Sequence, residues 1–375
     1  MPTMSDLPEP SPTQPPGVAL CLGSEALDRF RRVTQHLLVG LVDQVVSLSL
    51  VSADRRAEQL SLGPVRAVFY DPPRWPRGAQ QMARLVDSLS GHPPALVHAV
   101  GRETYAVAGA LAEAFEAELV VQVTSRADCD ALRRRRRSSV ARYVAMTQPL
   151  AAALNEQLSI PSHRVTLIRP GVSARQERMC FEAEGCTPTL LCLTDFDRLR
   201  GVETFLRAVA ILRKENIPLM AFILGQGRRE GAVRRRIREL HLTGEVTLAP
   251  PQGTLVQAIE SADVFIRPVR DDAFHESSLF AMRTGTAVVT VRNPLYDHLH
   301  PDETAVVCGE NSAESLAGGI RKLLTDRTFA RELAQRGMAY ARQHHSLTAM
   351  AEQTAELYRK LTFSRTTFPL QESRG

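Results

Sequence analysis

The chain has 375 residues, 44% of them apolar, 23% charged and only 5% aromatic, which is the composition of a globular protein long enough to bury two cores. No apolar run approaches the roughly 18 residues that a membrane-spanning helix needs, so an integral helical membrane protein is excluded. A net charge of +5 favours an anionic ligand or an anionic membrane surface, and the basic clusters lack the interleaved aromatic residues that nucleic-acid binding would use.

The opening "MPTMSDLPEPSPTQPPG" is proline-rich and has neither a basic start nor an apolar stretch, so residues 1–16 are expected to form a disordered tail rather than a signal peptide. From Gly17 the pattern alternates. "GVALCLG", "VVSLSLVS", "VRAVFYD", "ALVHAVG", "ELVVQVT" and "RYVAMTQ" read as short buried strands. Amphipathic segments at about 29–44, 78–90 and 104–116 read as helices between them. Such alternation predicts a parallel sheet covered on both faces, spanning residues 17–173. The polar stretch 174–188 reads as a linker.

Alternation restarts at "TLLCLT" and runs through strands at "LMAFILGQG", "EVTLAP", "DVFIRPV" and "AVVTVR". Helices are expected at about 201–215, 229–242, 254–262 and 275–285. This second lobe is assigned to 189–345. Helices near 313–324 and 327–345 close it, and a last helix and tail, 346–375, is expected to return to the first lobe. The fold class is therefore α/β, with two doubly wound lobes and a ligand cleft between them at the carboxyl ends of the strands.

Cys180, Cys186 and Cys192 recur every six residues without a histidine at zinc-finger spacing, and the other cysteines stand alone. All six are read as thiols, the location as cytoplasmic, and no metal site is expected. The run Arg133 to Arg137 reads as a solvated face, with peripheral docking to anionic lipid at the inner face of a membrane as the alternative. His98 ends an apolar strand and is open to two readings, a satisfied core imidazole or an acceptor contact.

The second lobe carries a family resemblance. "DRLRGVETFLRAVAIL", "FILGQGRREGAVRRRIREL", "SADVFIRPVRDD" and "LFAMRTGTAVV" resemble, in order, the strand–loop–helix, glycine turn, buried strand and active-site helix of retaining, sugar-nucleotide-dependent glycosyltransferases of group 1 (family 4). These enzymes have two Rossmann-like lobes, the GT-B architecture. The resemblance implies a nucleotide-sugar donor, a saccharide or lipid acceptor, transfer of a hexose with retention, and no metal or other cofactor.

A departing nucleoside diphosphate gathers negative charge, and such a site calls for fixed cations and helix N-terminal amides. Arg198 and Arg200 match the cationic positions, Gly225 and Gly227 the glycine turn, and Ser277 and Ser278 the start of the active-site helix. The family's two glutamates fall on Asp272 and Phe280. Aspartate still accepts hydrogen bonds, so Asp272 is the candidate catalytic carboxylate. Phenylalanine accepts none, so the ribose contact is lost unless Glu276 or another group takes it over, and Glu276 could instead repel the phosphates. In the first lobe, "SEALDRF" replaces the glycine pair that opens the first helix in the family, and Thr124 replaces a histidine near the transferred sugar. Two readings follow: a working hexosyltransferase, or a catalytically degenerate relative serving nucleotide sensing or scaffolding in cell-surface polysaccharide assembly.

Overall fold

The computed structural model describes residues 17–366 apart from 45, 73–77, 135–138, 184, 251–254 and 271. The proline-rich opening and Arg135, Arg136 and Arg137 of the arginine run therefore lie outside the described residues.

Within them the chain builds two parallel sheets. The first comprises β1 (Gly17–Leu22), β2 (Ser47–Ser52), β3 (Arg66–Phe69), β4 (Leu96–Val100), β5 (Glu118–Val123), β6 (Val140–Ala145) and β7 (Val165–Leu167). Its helices are α1 (Ser24–Asp43), α2 (Gly78–Leu89), α3 (Tyr105–Ala114), α4 (Arg126–Arg133) and α5 (Gln148–Ala152). The strand order is β3-β2-β1-β4-β5-β6-β7.

The second sheet holds β8 (Thr189–Leu193), β9 (Met220–Leu224), β10 (Val246–Ala249), β11 (Val264–Arg267), β12 (Ala287–Val291) and β13 (Val306–Cys308), in the order β10-β9-β8-β11-β12-β13. Its helices are α6 (Leu199–Lys214), α7 (Glu230–Glu239), α8 (Leu255–Ser261), α9 (Ser277–Thr284), α10 (Ala313–Thr325) and α11 (Arg327–His344). In each sheet the strand order reverses once, between β1 and β4 and between β8 and β11. A crevice opens outside the carboxyl ends of strands at such a reversal.

Helices on both faces explain why the strands read as unbroken apolar runs: β4 and β12 are buried along their whole length. The helices carry one apolar stripe each, as in α6, where Val202, Phe205, Leu206, Val209 and Leu212 are buried at helical spacing. One apolar cluster runs from the first sheet across to Phe265, Phe274, Leu279 and Phe280 of the second lobe, and a separate cluster fills the remainder of that lobe.

Two excursions tie the ends down. In 174–188, the amides of Arg178 and Cys180 bond the carbonyls of Thr284 and Gly285, and Cys180 and Phe181 are buried in the second lobe. Gly285 ends α9 at φ +84°, and a Cβ there would lie 2.1 Å from the Arg178 carbonyl oxygen, so only glycine fits. The last helix, α12 (Leu347–Thr366), leaves the second lobe and packs on α1 and β4 of the first. No helix among the described residues is long and apolar enough to cross a membrane.

Candidate active site

The crevice of the second lobe is bounded by the loop after β8 and the loop after β11. The first loop, Thr194 to Arg198, is braced by its own carboxylates: Asp195 accepts from the Asp197 amide at 2.7 Å, and Asp197 accepts from the Arg228 amide at 2.9 Å. Arg198 then occupies the N-cap position of α6, at φ −115° and ψ 85°, and makes no side-chain cap, which leaves the first amides of a 16-residue helix without a capping side chain. Arg198 and Arg200 are both exposed and neither has an ion pair among the described residues.

Gly225 and Gly227 shape this loop rather than an open phosphate cradle. A Cβ at 225 would sit 2.5 Å from the Phe196 ring and 2.6 Å from the Thr194 carbonyl. One at 227, where φ is +151°, would sit 2.7 Å from the Asp197 amide nitrogen. The glycine turn is thus the surface on which Thr194–Asp197 rests. A Cβ at Gly201 would lie 3.3 Å from the Val269 side chain and 3.4 Å from the Pro268 carbonyl oxygen, so glycine eases the close approach of α6 to the start of the second loop.

Asp272 on that second loop is exposed. Its carbonyl accepts from the Arg126 amide at 2.8 Å, the Phe274 amide donates to the Thr124 carbonyl at 2.9 Å, and Ser125 and Ala273 form an antiparallel bridge. The loop is therefore a strap that pairs with the first lobe at the β5–α4 turn. Thr124 is 3% exposed, with its hydroxyl 2.9 Å from Asp128, so it forms the seam between lobes and offers nothing to a sugar.

Glu276 continues the strap. The helix α1 breaks at Phe30, whose φ of −148° and ψ of 43° are not helical, and restarts with unsatisfied amides. Glu276 accepts from two of them, Val33 at 2.9 Å and Arg32 at 3.3 Å, while its own amide donates to the Arg29 carbonyl at 3.1 Å. Burial pushes its carboxyl up to about 7, against the opposing pull of those amides and of Arg32 and Arg31. One turn on, Phe280 lies under the Arg32 guanidinium, 5.0 Å from ring centroid to Cζ. Glu276 and Phe280 thus make one inter-lobe contact, and Glu276 does not stand in for a ribose-binding group.

The serines also turn inward. Ser277 is 1% exposed and its hydroxyl has no partner among the described residues, while Ser278 Oγ lies 2.8 Å from His298 Nε2. Both serines are buried, so neither hydroxyl is open to solvent in the crevice. His275 Nδ1 accepts from the Ser277 amide at 3.3 Å, and burial, then Arg267 and Arg29, hold its imidazole neutral.

His98 is 1% exposed, its Nδ1 lies 2.6 Å from the Tyr358 hydroxyl on α12, and its Nε2 has no partner among the described residues. Burial holds that imidazole down at about 3. The cysteines are free thiols, five of them buried and Cys186 exposed, and no cluster of metal-ligating side chains occurs among the described residues. Of the arginine run, Arg133 pairs with Asp130 at 3.7 Å.

What sequence reasoning missed is the role of α1. The cue was present in "RFRR", a basic patch in a helix facing a glutamate and a phenylalanine one turn apart, but nothing in the chain order joins segments so far apart.

Comparison with known structures decides the architecture. A glycosyltransferase from Rickettsia africae superposes with a TM-score of 0.76 at 14% identity, over 92% of this chain and 98% of that one. The fold is GT-B. HepE from Anabaena in complex with UDP and glucose matches with a TM-score of 0.74 at 13% identity, over 92% of this chain and all of the other. Sucrose-phosphate synthase from Thermosynechococcus elongatus matches with a TM-score of 0.74 at 17% identity, over 93% of this chain and all of that one. Residues 181–344, which take in the second lobe, match the family described as glycosyl transferases group 1. A search of curated proteins found no match.

Proposed function

We propose that the protein is a sugar-nucleotide-dependent glycosyltransferase that moves a hexose, with retention, to a saccharide or lipid acceptor in polysaccharide assembly. The donor diphosphate would sit at the uncapped start of α6, where Arg198 and Arg200 meet the charge that develops on the leaving group. Arginine at 200 adds a bidentate fork for phosphate oxygens. Asp272, exposed across the same crevice, would contact the transferred sugar. The reading needs no metal, because fixed cations supply the stabilisation. The observation that carries it is the pair of exposed arginines, without an ion pair among the described residues, at a helix N-terminus with no side-chain cap, at the β8/β11 reversal. The match of residues 181–344 to group 1 glycosyl transferases supports it, as does a neighbour of the same fold bound to UDP and glucose.

A second reading, a degenerate GT-B protein that binds a nucleotide or scaffolds an assembly without turnover, is favoured by one observation. The amides of Phe274 and Glu276 are spent on the first lobe. Incubation with UDP-glucose, GDP-mannose and ADP-glucose separates the two. Release of a nucleoside diphosphate supports the transferase, and binding without release supports the second reading. Peripheral docking of Arg133 and its neighbours to anionic lipid belongs with either reading, and a flotation assay with anionic vesicles tests it.

A further inference from the structure

Two histidines meet where the chain passes between the lobes. It leaves the first lobe after Val172 and returns after His345, and the two crossings lie against each other. A Cβ at Gly171 would sit 2.7 Å from the Ser346 carbonyl oxygen, and the Val172 amide donates to the His345 carbonyl at 3.0 Å. Asp297 joins them from the second lobe, accepting from the Gln148 amide and from Arg169 of the first lobe at 2.9 Å each. Any movement of one lobe against the other bends the chain at this joint.

His298 and His345 fill it. They are 0% and 2% exposed, with ring centroids 5.8 Å apart and planes at 75°. Each ring has one nitrogen engaged: His298 Nε2 lies 2.8 Å from Ser278 Oγ, and His345 Nδ1 lies 2.9 Å from the Pro170 carbonyl oxygen. The other two, His298 Nδ1 and His345 Nε2, are buried with no partner among the described residues. A carbonyl only accepts, so His345 carries its proton on Nδ1 and its Nε2 is bare. A second proton on either ring would leave a charged N–H shut away from water without an acceptor.

The neighbours do not favour a positive charge either. Arg169 of the first lobe acts on both rings, His300 acts on His298 and His344 on His345, while Tyr296 and Tyr340 add only neutral phenols. The one carboxylate acting on the pair among the described residues, Asp297, already holds Arg169. Burial, then His345, Arg169 and His300, hold His298 well below the usual histidine range. Burial takes His345 down to about 4, with Arg169 and His344 pulling the same way and the Pro170 carbonyl and Asp297 opposing.

We propose that the His298–His345 pair is a proton-operated joint: neutral, it keeps the lobes packed at the crossings, and proton uptake on mild acidification loosens them. It acts whatever the cleft binds. In the loosened joint both rings meet water and return to about 6.5, so the loosened form takes up protons first. Packing is therefore complete above about pH 6.5 and is lost as pH falls toward 4. Between pH 7.5 and pH 5, His345 alone shifts the balance about thirtyfold, and His298 multiplies it. Glu276 on the strap, whose carboxyl burial raises, titrates in the opposite sense, so the joint is read with Glu276→Gln in place.

Hydrogen exchange of the full chain carrying Glu276→Gln, corrected for the intrinsic pH dependence of exchange, tests this at the Gln148 and Val172 amides. Their protection should fall at least about thirtyfold between pH 7.5 and pH 5, while amides inside β4 and β12 stay better protected and far-ultraviolet circular dichroism holds constant. Adding His345→Asn, which keeps a donor for Pro170 but does not titrate, should shrink that fall at least about tenfold, and His298→Gln on top of it should abolish the fall. Nuclear magnetic resonance of the two imidazoles reads the same event without those substitutions, because both rings should take up protons together with the loss of protection. Flat protection across this range, a fall that survives both histidine substitutions, or an equal loss in β4 and β12 would each overturn the proposal. So would rings that titrate near pH 6.5 while the Gln148 and Val172 amides stay protected.

Discussion

Replacing Glu276 by glutamine probes the seam between the lobes through its pH dependence. Glu276 is 8% exposed, and its folded value of about 7 stands above the ordinary 4.5 because burial outweighs the amides of Val33 and Arg32. A raised carboxyl binds its proton in the folded chain before the unfolded chain does, so the charged form counts against folding. The contribution costs nothing below about pH 4.5. It grows as pH rises through the interval and is complete above 7, where it reaches about 3 kcal/mol at roughly 1.4 kcal/mol per pH unit. Glutamine does not titrate. It keeps an acceptor for Val33 but turns an NH2 group toward the Arg32 amide, a cost of about 1 kcal/mol that is the same at every pH. The stability of the native protein minus that of the variant should therefore fall by up to about 3 kcal/mol between pH 4.5 and pH 8. Urea unfolding at half-unit pH steps measures it, and subtracting the variant cancels every other titrating group. A difference that stays flat across this range would refute the burial of a proton-holding carboxyl at the seam.

Other substitutions test single contacts. Gly225→Ala should lower the midpoint of thermal unfolding by several degrees, since its methyl meets Phe196 at 2.5 Å and the Thr194 carbonyl at 2.6 Å, a clash of about 1–3 kcal/mol. Asp128→Ala should cost about 3 kcal/mol in urea unfolding, because it strands the Thr124 amide and hydroxyl and the Arg102 amide that the carboxylate now accepts from. Tyr358→Phe should cost about 1 kcal/mol and increase hydrogen exchange of α12 amides, having removed the only described partner of His98 Nδ1.

Most of the architecture was legible because it is local. The period-2 and period-3.6 patterns located β1, α2, β8, α6 and α11 to within a few residues, and the restart of alternation at Thr189 marks the second sheet. The helix α4 was not read: "ADCDALR" has little apolar periodicity, and what forms it is the Ser125 cap on the Asp128 amide and the burial of Cys129 and Leu132. The start of α1 was placed late, since Gly23 gives no capping signal and the cap arrives from Glu103. The site was legible only in part, for the same reason. Arg198 and Asp272 lie on loops at strand ends and Arg200 in the first turn of α6, positions that alone suggest exposure. The fates of Glu276, Phe280, Ser277, Ser278 and Thr124 depend on how one lobe meets the other, and pairs such as Glu276 with Val33 are separated by most of the chain. His98 shows the limit most plainly, because the group bonded to its Nδ1 is a tyrosine on the last helix.

Titrating UDP, GDP and ADP into the native protein and into the Arg198→Ala/Arg200→Ala double variant tests the donor site most directly. One of the three should bind the native protein, and the double variant should lose at least about a hundredfold in affinity while its far-ultraviolet circular dichroism is unchanged, as expected when two charge-assisted phosphate contacts are removed. Binding of equal strength in the double variant would contradict the placement of the diphosphate at the start of α6.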